Sequence, residues 1–513
     1  MIDDAKPQAT VGLWLPLTLT LVSAASMALE IVAGRALAPY VGMSLYSWTM
    51  IIAVVLAGLS IGHWVGGTMA DTTQKPERWV AISLTAAALA TIASLGAIRF
   101  IAPSLVGFDP ISHVGILSLV GFFLPSAIAG MLSPLLTKMA LDRVDQSRHG
   151  RVLGLMFALG AFGAIIGTLV AGLLLISWVG TSGSVMIIAA LYGLLSLRFW
   201  SLKPRIIAGL ALLFAGVGLA QSPKLIGLQT PCLKESAYFC IRVDTISFLG
   251  RDSKVMALDH LAHGINDAKD PTLLLSPYVQ GIDEIVRTRF SGSKLEAFFV
   301  GGGAYTLPRA WLASYPEGRF VTAELDPQVT KIGHEKMWLP KSNAHKIIHG
   351  DARHILRNQD INHKFDVIFG DAFHDISIPQ HLVSDEFHEL VKSRLKPDGL
   401  YAINVVDSLK TPRFLLSLVK TLKLQFPAVE VWLDIDQVQP NDSRVTWIII
   451  ASERETKGRR FTARHGFQRQ WVRGPIKLMT EVVGVENLIT LRDDFAPVDR
   501  LLAGLILNAD TAE

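Results

Sequence analysis

The chain has 513 residues, half of them hydrophobic, and a mean hydropathy of +0.39, which argues against a wholly water-soluble protein of this length. A formal net charge of +4 is too small to point to nucleic acid as a partner, and the two cysteines, Cys232 and Cys240, form no C-x-x-C pair, so no zinc site is suggested. The apolar excess lies toward the N-terminus, which predicts a membrane part followed by a soluble part.

Met1–Thr10 lacks the basic start of a cleavable signal peptide, so the first apolar run is expected to remain as a membrane helix. Seven stretches approach the roughly 20 apolar residues that a bilayer crossing needs: 12–34, 45–70, 79–101, 113–136, 152–178, 183–200 and 205–221. Gly58, Gly62 and Gly66, and again Gly163 and Gly167, recur every four residues, which puts small residues on one face for close helix packing. Glu30 and His63 lie within spans. Glu30 is expected to pair with Arg35 near an interface; the competing reading is that Glu30 or His63 lines a path for a cationic substrate. Lys6, Lys75, Arg78, Lys138, Arg143, Arg148, Arg151, Lys203 and Arg205 fall on one side of the bilayer, against Arg35, Arg99 and Lys224 on the other. Basic loops favour the cytoplasm, so with seven spans the soluble part is expected outside a cell (inner) membrane, where Cys232 and Cys240 would pair.

Beyond Ser222–Lys224 the pattern changes. Glu235–Val243 and Lys254–Leu258 read as short strands of a small β unit, followed by a helix over 277–290. Then strands (296–300, 319–324, 346–350, 365–370, 400–406, 429–434, 444–451) alternate with helices (304–314, 327–337, 353–358, 384–395, 411–425). This alternation predicts a mostly parallel, doubly wound α/β sheet, with the last two strands as an antiparallel edge hairpin. The central stretch is Leu295–Asp326. The apolar strand Ala297–Val300 runs into Gly301, Gly302 and Gly303, a helix follows, and a second strand ends in Glu324. Glycines let a backbone approach a ligand, a helix N-terminus offers free N–H groups, and an acid about 20 residues on is placed for a ribose diol. Asp351 ends the third strand, where it could accept from an adenine amino group. Asp371 ends the fourth, in a loop rich in acids, and Ser384 or Asp385 is expected to cap the next helix.

These residues resemble the spermidine synthase (polyamine aminopropyltransferase) family, in its membrane-fused bacterial branch. The matching pieces are E-S-A-Y-F-C-I-R-V, L-D-H-L-A-H, G-G-G, A-E-L-D-P, G-D-A, F-D-V-I-F-G-D-A-F and L-K-P-D-G. The resemblance implies a multi-pass α-helical membrane domain (1–221), a linker with a small β unit and helix (222–295), and a Rossmann-like, methyltransferase-type domain (296–513). It implies Asp371 as catalytic base, Glu324 on the ribose, and Asp351 with Ala352 on the adenine. His263 and Tyr278 fall at substrate positions, and Asp375 and Glu235 are candidates for the far ammonium of a diamine. The implied co-substrate is decarboxylated S-adenosylmethionine, and the arrangement is compatible with a homodimer. The sequence departs from the family where G-G-G-D-G-G has Ala304 for its aspartate, and where Y-H-E reads Tyr278-Val279-Gln280. Two other readings therefore stay open: a methyltransferase using S-adenosylmethionine, and a transporter or sensor that binds an amine or nucleoside without turnover.

Overall fold

The computed structural model describes residues 12–201, 209 and 230–506, apart from positions 106, 249, 361, 374–375, 439–443 and 464. The chain divides into two compact units, Met1–Cys240 and Ile241–Glu513.

Among the described residues of the first unit, five helical stretches are long and apolar enough to cross a membrane: Trp14–Val41, Leu45–Thr72, Pro76–Leu105, Pro110–Leu141 and Gln146–Phe199. The last, at 54 residues, would be about 80 Å long as one rod, more than twice a bilayer core. It turns at Gly180, whose φ of 71° and ψ of −179° lie outside the helical region, so the expected spans 152–178 and 183–200 are both present as helices. The expected seventh span, 205–221, lies outside the described residues.

The four-residue glycine spacing does what lipid-embedded packing requires. A Cβ on Gly58 would sit 2.7 Å from the Phe123 carbonyl, and one on Gly66 2.5 Å from that of Met131. Gly62 meets the Ala127 carbonyl in the same way, and Gly163 and Gly167 back onto Thr20 and Ala24 of the first helix.

The expected Glu30–Arg35 pair is not formed. Residues five apart point to different sides of a helix. Arg35 donates instead to the carbonyls of Tyr238 (2.6 Å) and Ser236 (3.1 Å), and Glu30 Oε2 has no hydrogen-bond partner among the described residues. At this end of the bundle Arg99 donates to Ser182 Oγ (3.0 Å), next to the Gly180 turn. The short strand β1 (Lys234–Glu235) and the Cys232–Cys240 disulfide lie here too. At the opposite end the Arg198 guanidinium sits 5.7 Å over the Trp14 ring, and Trp200 Nε1 donates to Thr85 Oγ1.

The second unit opens with an antiparallel meander, β2 (Cys240–Phe248), β3 (Arg251–Leu258) and β4 (Leu261–Asp267), followed by the helix Pro277–Arg289. The main sheet contains β5 (Glu296–Val300), β6 (Arg319–Glu324), β7 (His345–His349), β8 (Phe365–Gly370), β9 (Leu395–Ser408), β10 (Ala428–Asp434), β11 (Arg444–Ser452), β12 (Arg460–Ala463) and β13 (Arg469–Arg473). Their order is β12-β13-β10-β11-β9-β8-β5-β6-β7. β5, β6, β7, β8 and β9 are parallel, as the alternating pattern predicts. β10 and β11 are antiparallel, as expected, but they are not the edge. β10 also pairs with β13, and β12 lies outside that. The cationic, aromatic run after Gly458 therefore extends the sheet by two strands. Phe299, Trp311, Phe320, Trp432 and Trp471 fill the core on the face covered by the helix Pro277–Arg289.

The chain leaves β5 toward β6 and β7, then returns to β8 on the other side of β5. The carboxyl ends of β5 and β8 thus diverge at a switch point, which is where an open α/β sheet receives its ligand.

Candidate active site

The switch point joins the glycine turn to Asp371. The Asp371 N–H donates to the Val300 carbonyl (3.0 Å), and Gly301 passes so close that a Cβ there would lie 2.7 Å from the Asp371 carbonyl oxygen. With φ at +95°, Gly301 is also in a region that side chains rarely adopt. The Gly302 N–H donates to Glu324 Oε2 (2.7 Å) and the Asp326 N–H to Glu324 Oε1 (2.9 Å), which locks the end of β6 to the turn. Burial raises the Glu324 carboxyl above its ordinary range, against the pull of these amides. Each carboxylate oxygen has a second lone pair, so the group can still accept from a diol.

Asp371 faces a narrow pocket lined by His263, Tyr278, Gly301, Gly302 and Thr306. Tyr278, at the start of the helix Pro277–Arg289, donates its hydroxyl to Asp371 Oδ2 (3.2 Å). Asn404, on β9, donates Nδ2 to Oδ1 (2.9 Å). Burial lifts the Asp371 carboxyl to about 6, while these two donors pull it down. It is therefore mostly ionised at neutral pH, yet basic enough to take a proton. Burial beside Asp371 pushes the Tyr278 phenol well above its usual value, so Tyr278 acts as a neutral donor. Burial also lowers the His263 imidazole to about 4, which leaves it uncharged at neutral pH. These three predicted residues meet in one pocket.

The other predicted residues are spread more widely. Asp351 caps the helix Ala352–Arg357 by accepting from the His354 N–H (2.8 Å), and Ala352 is buried at its first position. The second oxygen of Asp351 pairs with His381 Nε2 (2.7 Å), and both side chains are about half exposed. Burial pushes the Asp351 carboxyl up, but the His354 amide and His381 outweigh it and hold it below its usual range. Asp375 lies outside the described residues. Glu235 belongs to the first unit, where Oε2 accepts from the Thr181 N–H and hydroxyl (both 2.6 Å) and Oε1 from the Thr230 hydroxyl (2.7 Å). Its carboxylate caps the helix that begins after Gly180. Ser384 caps its helix as expected, accepting from the Phe387 N–H.

Ala304, which stands where the family motif has an aspartate, is buried with its Cβ against Gly264, and its carbonyl accepts from Asn266 Nδ2 (2.9 Å). Gln280 is wholly buried; it donates to the His465 (2.6 Å) and Phe467 (2.5 Å) carbonyls and accepts from Arg469 (2.6 Å), so it anchors a loop. Sequence reasoning missed Asn404. The available signal was a lone amide in the apolar run Leu400–Val406, near the carboxyl end of a parallel strand.

No family model matches the chain. It is 30% identical over 112 residues to a polyamine aminopropyltransferase of Vibrio vulnificus (strain CMCP6), covering 22% of this chain and 38% of that protein. It is also 30% identical over 109 residues to a probable polyamine aminopropyl transferase of Bifidobacterium longum (strain NCC 2705), covering 21% and 24%. It therefore spans well under half the length of either relative. A probable spermidine synthase from Corynebacterium glutamicum ATCC 13032 aligns with a TM-score of 0.43 and 21% identity, covering 51% of this chain and 95% of that one. Over these stretches the chain is similar to polyamine aminopropyltransferases.

Proposed function

We propose that the protein is a membrane-bound polyamine aminopropyltransferase that moves an aminopropyl group from decarboxylated S-adenosylmethionine to a diamine such as putrescine. The observation that carries this reading is Asp371, a buried carboxylate at the switch point whose basicity burial has raised and which the neutral Tyr278 hydroxyl and Asn404 amide contact. Gly301–Gly303 and Glu324 would hold the ribose, and Asp351 with Ala352 the adenine. His263 and Tyr278 would shape the amine side. A protonated amine cannot attack. Asp371 takes its proton, the nitrogen lone pair forms the N–C bond, and the C–S pair departs to the sulfur as methylthioadenosine. A sulfonium is already a good leaving group, so positioning and proton removal are the enzyme's main tasks.

Ala304 supports a second reading, methyl transfer from S-adenosylmethionine, because no acid stands where the family holds the donor's amine. Incubating the full chain with each donor and putrescine separates the two. Methylthioadenosine with an aminopropylated amine supports the first reading; adenosylhomocysteine with a methylated product supports the second. Amine or nucleoside binding with neither product would leave a sensor or transporter.

We further propose that the catalytic unit lies outside the cell membrane. The contacts of residues 235–238 with Arg35 and Thr181 support this, because both lie at the bundle end away from the basic loops around Lys75 and Arg143. The Cys232–Cys240 disulfide at that end fits an oxidising compartment.

A further inference from the structure

The helical unit carries a half-open cavity of about 310 Å³ that the transfer chemistry does not use. That volume is at the lower end for small-molecule sites. Four helical stretches meet around it, and polar side chains from three of them converge on it: Ser23 and Ser26, His63, and Ser133 with Thr137. Polar groups at membrane depth are costly and tend to cluster where something must be bound.

The backbone adds to this. The fourth stretch runs on through Met131 in helical geometry (φ −61°, ψ −24°). Gly130 lines the cavity, and Pro134, four residues on, has no N–H to give its carbonyl. That oxygen lacks its usual helical donor and can accept from the N–H of a bound cation. One turn beyond Ser26 on the same face of the first helix is Glu30, buried, with Oε2 lacking a partner. No lysine or arginine lines the cavity, and most of the lining is aliphatic or aromatic.

We propose that this cavity binds a small aliphatic ammonium ion, with hydroxyl and carbonyl oxygens taking the charged end and the apolar wall taking the methylenes. This site is separate from the catalytic pocket and does not depend on the transfer reaction. Both cysteines are paired, so Thr137→Cys gives the full chain one free thiol. In detergent micelles, 1,4-diaminobutane should slow labelling of that thiol by a cationic thiosulfonate at least fivefold, while 1,4-butanediol and sodium chloride leave it unchanged. Equal protection by the diol would make this an apolar slot, and protection by sodium an inorganic ion site; either result, or no protection, overturns the proposal. A second measurement covers the case where the cysteine variant fails to fold. Ser133→Val should lose one equivalent of diamine binding with an unchanged melting temperature and unchanged transfer. Asp371→Asn should keep that equivalent, which separates this site from the fate of the proposed activity. Full binding in Ser133→Val would sink the proposal.

Discussion

Among the described residues, Asp371 is held by two neutral donors rather than by a cation, and in the proposed reaction this would set its working range. Without a positive partner, burial dominates and leaves the carboxyl at about 6, against an ordinary value of 3.8. The acid limb of kcat/KM should therefore fall near pH 6. Both donors favour the ionised form, so removing either should move the limb upward. We expect about one pH unit for Asn404→Leu and less for Tyr278→Phe, whose contact is longer. A limb that stays in place in both variants would mean that another group sets it. Asp371→Asn should abolish transfer while leaving binding of the donor's nucleoside intact. It should also change stability in a pH-dependent way. A carboxyl that titrates near 6 when folded and near 3.8 when unfolded binds more protons in the folded state across that window. Stability contributed by this group is thus present below about pH 4 and is lost as pH rises through 6. Asp371→Asn should therefore raise the melting temperature at pH 8 and have little effect at pH 4, as thermal scans of the full chain would show.

At the scale of elements, two kinds of glycine do different work. In the second helix Gly58, Gly62 and Gly66 let a neighbouring backbone come close, whereas Gly67, one residue on, meets nothing within 4 Å. Gly62→Leu should therefore abolish recovery of monodisperse protein in detergent, and Gly67→Leu should be tolerated; size-exclusion profiles decide. In the glycine turn, Gly301→Ala would put a methyl against the Asp371 carbonyl at a positive φ. A clash of this size at the switch point should cost roughly tenfold or more in transfer rate, because such strain is worth about 1–2 kcal/mol. Normal turnover in Gly301→Ala would show that the turn can open without disturbing Asp371.

At the scale of the whole molecule, the chain joins an apolar helical unit to an α/β unit, and the proposed placement outside the cell membrane has a direct test. An alkaline phosphatase fused after Glu513 should be active and a fluorescent protein dark, and Cys232 and Cys240 should resist alkylation until reduced. A fluorescent fusion or free thiols would reverse the assignment. The sequence by itself determined the elements, since β5, β6 and β8 begin and end at the residues their apolar runs predict. It also placed Glu324 and Asp351 at the carboxyl ends of their strands and marked the glycine faces of the helices, because strand and helix periods and short motifs are local. Only the tertiary structure decided what depends on residues far apart in the chain. It brought Asn404 to Asp371 from 33 residues away and Tyr278 from 93. It gave Glu235 to the helix at Thr181, 54 residues away. It set β13 against β10, which moved the expected hairpin off the edge. Each of these is a choice among partners that a local pattern leaves equivalent. Packing and the need to satisfy buried polar groups make the choice once the whole chain has folded.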